Sequence, residues 1–310
     1  MKNNLPTINK IEDWKIYRRA IEASKEPIFK KSIPTEFNIE AFELLKCKRI
    51  EEYNNRRRNG EFRELNLVKA YLGGADLSGA DLDRANLYEA DLGGVNLENA
   101  DLSGADLRNA FLRHANIRNA RLVYANLEHA NLSGAILIEA NLEDAQLSNA
   151  LLNTANLENA KLEGDDLRGA VLEGAYLRNT DLSNTDLRGT NLRSANLQRA
   201  ILRGANLNGG NLRASNLNLA DMRGAELSKS LLYDITQYEN LLLDNTTKLN
   251  NSILNDQKLV NYLISKKPDL RYTKITNKNM LKDFMKKNEF AQHVMKYILD
   301  LDFSEIIVLE

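Results

Sequence analysis

The sequence predicts an all-β solenoid, a chain that turns a corner every five residues and winds its apolar side chains around one interior. Three observations carry this. Leucine recurs at Leu67, Leu72, Leu77, Leu82 and onward to Leu232, with only Ile117 and Met222 substituting, through 34 consecutive units without a phase slip. A small or apolar residue, most often alanine, stands two places before the leucine. The last position of the 33 units from Lys69 to Lys229 holds 12 Gly and 7 Asn, the residues that tolerate turn dihedrals.

Period five fits neither regular element. An α-helix turns about 100° per residue, so a five-residue step advances the leucine by about 140° and smears it around the circumference. In a continuous strand, residues five apart point to opposite faces and half the leucines would be in water. Ala and Leu are strong helix formers, but the phase argument overrules composition. A chain that bends once per unit is the remaining solution. In the unit Ala75, Asp76, Leu77, Ser78, Gly79, Ala75 and Leu77 share the inner side of a short extended piece, Asp76 points outward, and Gly79 sits at the corner.

The run GADLSGADLDRANLYEADL from Gly74 to Leu92 resembles the A(D/N)LXX signature of the pentapeptide-repeat proteins. That resemblance implies a right-handed, quadrilateral parallel β-helix with four units to a coil, the leucine and the small residue both pointing inward. Thirty-four units would then make about 8.5 coils, stacked at about 4.8 Å into a rod roughly 40 Å long.

Three regions are expected: a helical N-terminal cap over 1–64, the β-helix over 65–234, and a mainly helical C-terminal cap or small domain over 235–310. Asn9 with Glu12 can cap a first helix that presents Ile11, Trp14, Tyr17 and Ile21 on one face. A second helix is predicted from near Asn38 to Arg58, carrying Ile39, Phe42, Leu45 and Tyr53 and ending at Gly60. Tyr53, Asn54, Asn55, Arg56 and Arg57 look like the Trp-Asn-x-Trp-Arg helix that precedes the coils in many bacterial family members. A cap is needed because an open β-helix end offers unpaired backbone groups. Arg56, Arg57 and Arg58 read as solvated cations complementing the last turn of that helix, and Cys47 as a buried helix residue. Past Leu232, Leu249 and Leu254 with Thr247 and Ser252 suggest part of a last, shifted coil. Leu259, Val260, Leu263 and Ile264, then Leu281, Phe284 and Met285, then Phe290, Val294, Tyr297, Ile298 and Leu301 suggest helices, and Ile306 to Leu309 a strand or docking tail.

With four units per coil, residues 20 apart should stack. One ladder, Asn66, Asn86, Asp106, Asn126, Gln146, Asp166, Asp186, Asn206 and Glu226, is polar. The next runs Tyr71, Asp91, Phe111, Asn131, Leu151, Val171, Asn191, and the side after it adds Ile136 and Tyr176. Phe111, Ile136, Leu151, Val171 and Tyr176 are therefore the candidate interaction surface, for a protein partner or a homodimer. Inside, Asp165 takes a position normally held by alanine, with polar Thr185 one coil later. This buried polar rung is expected to be satisfied by Asp165 bonding to Thr185, backbone or water.

The chain has 310 residues, is 27% charged and carries a net charge of −1, which does not advertise nucleic-acid binding. Charge is uneven along the coil: 16 acidic against 7 basic residues from Leu65 to Asp166, and 5 against 9 from Leu167 to Ser230. No apolar stretch follows Met1 and no run approaches 18 apolar residues, so no transmembrane segment and a cytoplasmic location are expected. One cysteine excludes a disulfide scaffold. No cofactor is implied: His114 and His129 are 15 apart and belong on different sides, His293 lies in the other tail, and no zinc spacing, phosphate loop or nucleophile elbow is present. Leucines filling the interior leave little room for a substrate pocket. The expected function is a non-catalytic protein-interaction scaffold. Two alternatives come with the resemblance, since some members resemble DNA and bind a type II topoisomerase (gyrase), and others look like secreted bacterial effectors that localise to host membranes.

Overall fold

The leucine period dictates the architecture seen in the computed structural model, which describes residues 37–249, 252–254, 259, 262, 274 and 275. Parallel bridges join outward residues 20 apart, as in Asn66↔Asn86, Tyr71↔Asp91, Asp76↔Asn96 and Asp81↔Asp101. Four units thus close one turn, with first, second, third and fourth sides beginning at those residues. Leu107, Leu127 and Leu147 lie one above another in a fully buried column, and the alanines two places before each leucine fill the corners of the tube. Each side pairs through a single residue because a corner interrupts it on both flanks.

The corner forces its own backbone. All 33 corner residues from Lys69 to Lys229 have positive φ, and most of them are not glycine. The residue after each corner donates back to the leucine, as in Ala80 N to Leu77 C=O at 3.0 Å. This closes a turn whose third residue needs positive φ, as type II turns do. Glycine matters most where the coil below leans upward: a Cβ at Gly134 would lie 2.5 Å from His114 Nδ1, and one at Gly164 2.8 Å from Asp144 Oδ1.

Each unit presents five N–H donors, and their fates explain the repeat. In the unit of Asn96, Asn96 N reaches Ala75 C=O in the coil below (2.9 Å), Leu97 N and Asn99 N reach Asn116 and Arg118 C=O above (2.6 and 2.9 Å), and Ala100 N closes the turn on Leu97 C=O (3.0 Å). The fifth, Glu98 N, is taken by the outward side chain two places earlier, Asn96 Oδ1 at 3.2 Å. Asp76, Asp101, Asn131 and Asn156 serve Ser78, Ser103, Ser133 and Glu158 in the same way. The Asp or Asn beside the leucine is therefore a turn-forming acceptor rather than a merely solvated side chain.

Among the described residues of the N-terminal cap there are two helices, α1 (Ile39–Lys46) and α2 (Ile50–Arg58), where the sequence predicts one from near Asn38 to Arg58. Lys48 at φ 60° breaks them, with Arg49 N donating to Leu44 C=O (2.9 Å) and Lys48 N to Leu45 C=O (3.1 Å). This is a Schellman ending, repeated at Gly60. The break lets α1 bury Ala41, Phe42, Leu44 and Leu45 while α2 turns Tyr53 toward the first coil. Cys47 falls in the break and is exposed, contrary to the expectation of a buried helix residue.

The first coil has no coil below it, and cap side chains stand in for one. Asn54 accepts from Asp81 N (2.9 Å) and donates to Gly79 C=O (2.8 Å). Asn38 Oδ1 accepts from Asn66 N (2.6 Å), and the Tyr53 hydroxyl donates to Asp81 C=O (2.7 Å). Arg57 corrects the solvated reading of the arginine triplet. Its side chain is only 8% exposed and donates to the Asp83 carbonyl at 2.7 Å and to that of Phe62. Arg56 pairs with Glu40 and Glu61 at 2.8 and 2.6 Å.

At the other end the ladder continues past the boundary expected at 234. Bridges join Asn216↔Gln237, Asp221↔Leu242 and Glu226↔Lys248. β1 (Leu231–Leu232) then pairs in parallel with β2 (Ile253–Leu254), and β2 with β3 (Lys274–Ile275). Steps of 21 and 22 residues replace 20, which hides these coils from a strict five-residue reading. Thr247, Leu249 and Ser252 are buried, and the two hydroxyls donate to Met222 and Leu227 carbonyls of the coil below (3.0 and 2.6 Å). Leu259 is helical and buried, and Tyr262 donates to Leu241 C=O at 2.5 Å. The helix expected after Asn9, those expected from Leu281 and from Phe290, and the tail from Ile306 fall outside the described residues.

Asn54→Ala strips partners from Asp81 N–H and Gly79 C=O together. It should lower unfolding free energy by about 1–3 kcal/mol, read as a lower urea midpoint; an unchanged midpoint would show that Asn54 does not seal the coil end.

Candidate interaction surface

The outward ladder is where units depart from the turn-forming rule. At Phe111, Ile136, Leu151, Val171 and Tyr176 an apolar side chain replaces Asp or Asn, so among the described residues Arg113, Ile138, Asn153, Glu173 and Arg178 find no acceptor for their backbone N–H. Each forfeited bond is worth about 0.5–1.5 kcal/mol, and each apolar group is offered to water as well. Phe111 and Tyr176 are 53% and 54% exposed, Ile136 and Leu151 somewhat less, and Val171 is half-buried. These residues destabilise the coil twice over relative to asparagine.

The structure sorts them onto two adjoining sides. Phe111, Leu151 and Val171 share the second side, linked through the bridges Phe111↔Asn131, Asn131↔Leu151 and Leu151↔Val171. Ile136 and Tyr176 share the third, with Asn156 between them. Sequence reasoning missed Ile138, half-buried beside Ile136, and the exposed corner residue Tyr124. Counting ladders only through the outward position overlooks the residue after the leucine and the corner itself.

The first side is polar, and its carboxylates are engaged. Arg108 grips Asp106, Arg168 grips Asp166 and Arg188 grips Asp186, each with a 2.6 Å contact. These guanidinium bonds hold all three carboxyls below their ordinary value. On the fourth side Asp221 lies between Arg223 and Arg203, and their hydrogen bonds bring its pKa down to about 2. Asp106, Asp166, Asp186 and Asp221 thus spend their charge on neighbouring arginines, whereas Asp91, Asp101 and Asp181 carry no ion pair among the described residues.

Inside the tube, Asp165 is 1% exposed. Its Oδ1 accepts from Ala145 N at 2.9 Å, and its Oδ2 has no hydrogen-bond partner. Thr185 does not meet it, because the Thr185 hydroxyl donates to Leu162 C=O at 2.8 Å, one coil below. The pair is therefore two separate backbone contacts and not one rung. Burial pushes the Asp165 carboxyl up to about 9, aided by the nearby Asp144 and Glu143 carboxylates and opposed by the Ala145 N–H. At neutral pH it is a protonated acid in an apolar tube.

His114 and His129 occupy corners of different sides, and among the described residues no group of three His, Cys, Asp or Glu could hold a metal ion. No helix among them is long and apolar enough to cross a membrane.

A family description, Pentapeptide repeats, matches in eight copies across residues 61–99, 96–134, 135–174, 170–209 and 195–232. Among solved structures the chain is similar to HetL, a pentapeptide repeat protein involved in heterocyst differentiation regulation from the cyanobacterium Nostoc sp. strain PCC 7120. Identity there is 28% over 71% of this chain and 90% of that one, with a TM-score of 0.41. It is also similar to a trypsin-treated form of QnrB1, a plasmid-mediated fluoroquinolone resistance protein, at 19% identity over 64% and 91%, TM-score 0.38. Rfr23, a pentapeptide repeat protein from the cyanobacterium Cyanothece 51142, is 39% identical over 32% and 64%, TM-score 0.26. No curated protein matches the chain.

Asp165 sets a pH dependence. Between the usual carboxyl value of 3.8 and about 9 the folded chain keeps a proton that the unfolded chain has released. Stability contributed at this position therefore falls as pH rises through that window, by up to about 1.4 kcal/mol per unit, and levels off above it. Asp165→Asn should be more stable than the parent at pH 7, with an advantage that grows from pH 5 to 9 in urea titrations; parallel pH profiles would overturn the assignment.

Proposed function

The chain belongs to the pentapeptide-repeat family, its coil is a right-handed, four-sided β-helix, and from that premise we propose that it acts as a non-catalytic protein-interaction scaffold. The observation that carries this reading is the forfeited hydrogen bond at Phe111, Leu151 and Val171 on the second side, and at Ile136 and Tyr176 on the third. A rod selected only for stability would hold Asp or Asn there. Apolar residues kept against that cost need a compensating contact, and a rigid row of them spaced by one or two coils, about 5–10 Å, fits the surface of a protein partner.

The rod suits that role because its backbone is fixed on all four sides, so binding costs little ordering entropy. The filled interior supplies no concave pocket for a substrate, which is why the proposal excludes catalysis. Asp106, Asp166 and Asp186 on the first side and Asp221 on the fourth are paired with arginines, and at those positions this supports a protein surface over imitation of a nucleic-acid backbone.

Replacing Phe111, Leu151 and Val171 together by Asn restores the turn-forming acceptor in three units. The triple variant should gain stability, by about 0.5–1.5 kcal/mol per site in urea titrations, and at the same time lose the partners cross-linked to the parent chain in its native cell. A variant that is more stable yet keeps every cross-linked partner would sink the assignment of the binding surface.

A further inference from the structure

The second side is complementary to itself, and we infer that its occupant is a second copy of this chain, packed antiparallel with Phe111 of one copy over Val171 of the other and Arg113 against Glu173. This inference rests on the reading of that side as an interaction surface and names its partner.

Two ladders cover the side. The outward one runs Phe111, Asn131, Leu151, Val171, and the one two residues along runs Arg113, Ser133, Asn153, Glu173. A two-fold axis lying across the side, between the levels of Asn131 and Leu151, maps each ladder onto itself in reverse. Phe111 then meets Val171 at both ends, Leu151 meets Asn131, Ser133 meets Asn153, and Arg113 meets Glu173 twice. Arg113 is exposed and, among the described residues, has no ion-pair partner within its own chain. Glu173 keeps 42% of its side chain exposed; one carboxylate oxygen faces Arg193 at 3.6 Å and the other accepts from Asn191 Nδ2 at 3.3 Å, and the remaining lone pairs can accept a second guanidinium.

Neighbouring registers are worse. Moving the axis up by half a coil sets Arg113 against Arg193, and by a full coil against Arg213, like charges in both cases. Moving it down by half a coil sets Glu173 against Gly93 and Val171 against Asp91. A parallel arrangement brings each charge to the level of its own copy. This register pairs Phe111 with Val171 and the opposite charges, leaving Leu151 over Asn131, and charge mispairing is penalised on one flank and the setting of Val171 against Asp91 on the other.

The face is flat and narrow. Three extended residues give a width of about 10 Å, and with a rod of roughly 40 Å the pair buries on the order of 800 Å² counting both copies. That lies below the 1,200 Å² or so of stable complexes, so the dimer is a weak, concentration-dependent one that a tighter partner can displace.

Sedimentation velocity on the full chain across a hundredfold concentration range tests this, with far-ultraviolet circular dichroism to confirm folding. The parent should shift from monomer toward dimer. Arg113→Glu alone and Glu173→Arg alone should each weaken association by roughly tenfold or more, and the two together should restore it, because the swapped charges again face each other. A parent that stays monomeric, a dimer indifferent to both single substitutions, or a double variant no better than the singles would overturn the proposal. A monomeric parent that still loses its cross-linked partners in the Asn triple variant removes only the self-association and leaves the scaffold reading standing.

Discussion

Every five-residue unit must place five backbone N–H groups, and the structure follows from the fact that the backbone alone can satisfy only four of them. Three reach the coils above and below and one closes the corner, as the unit of Asn96 shows. The fifth needs a side-chain acceptor two residues earlier, which Asp and Asn supply throughout the coil and Glu226 supplies to Ser228 N near its end. The repeat signature is thus the residue list that leaves no donor orphaned. The interior makes the same demand: Thr180, Thr185 and Thr190 are tolerated because each hydroxyl finds a leucine carbonyl, whereas Asp165 leaves one oxygen without a partner and must stay protonated.

This bookkeeping of donors also supports the proposed interaction surface. In a fold where the outward position has an energetic optimum, a departure from it is informative in a way that an exposed leucine on an ordinary domain is not. Phe111, Leu151 and Val171 are such departures on the second side, Ile136 and Tyr176 on the third and Ile201 on the fourth, so the second side carries the longest row of them. The arginines differ: Arg168, Arg188 and Arg223 look on paper like a basic half of a dipolar rod, yet each is spent on the aspartate two residues before it.

Much of this was legible in the sequence because a strict period leaves no freedom. The interior leucines, the corner residues and the 20-residue ladders all follow from phase alone, and the coordinates place Leu107, Leu127 and Leu147 in one column as phase requires. Features set by single contacts were not legible. The break at Lys48 depends on a left-handed residue of a type that gives no warning, and with it went the burial expected for Cys47. Arg57 looked solvated because nothing in a run of three arginines says which one will lie against Asp83. The coils after Leu232 were half hidden because one or two added residues erase a five-residue period without erasing the pairing of β1 with β2. Of the partners expected for Asp165 it takes backbone, the Ala145 N–H, while Thr185 turns to the Leu162 carbonyl, since stacking fixes which column a side chain enters but not which backbone group it finds there.

The closure of each turn after four units also governs how such a chain can change over generations. Copying one unit within the gene would preserve every leucine and every corner, yet rotate all downstream surfaces by a quarter turn, moving Leu151 and Val171 out of line with Phe111. Copying four leaves the surfaces aligned and only lengthens the rod. Near Gln237 and Lys248 the spacing stretches to 21 and 22 residues while parallel pairing is kept, so isolated insertions are absorbed locally as slack. Keeping an outer face aligned would therefore restrict repeat number, permitting growth in whole turns and small bulges but not single-unit duplications.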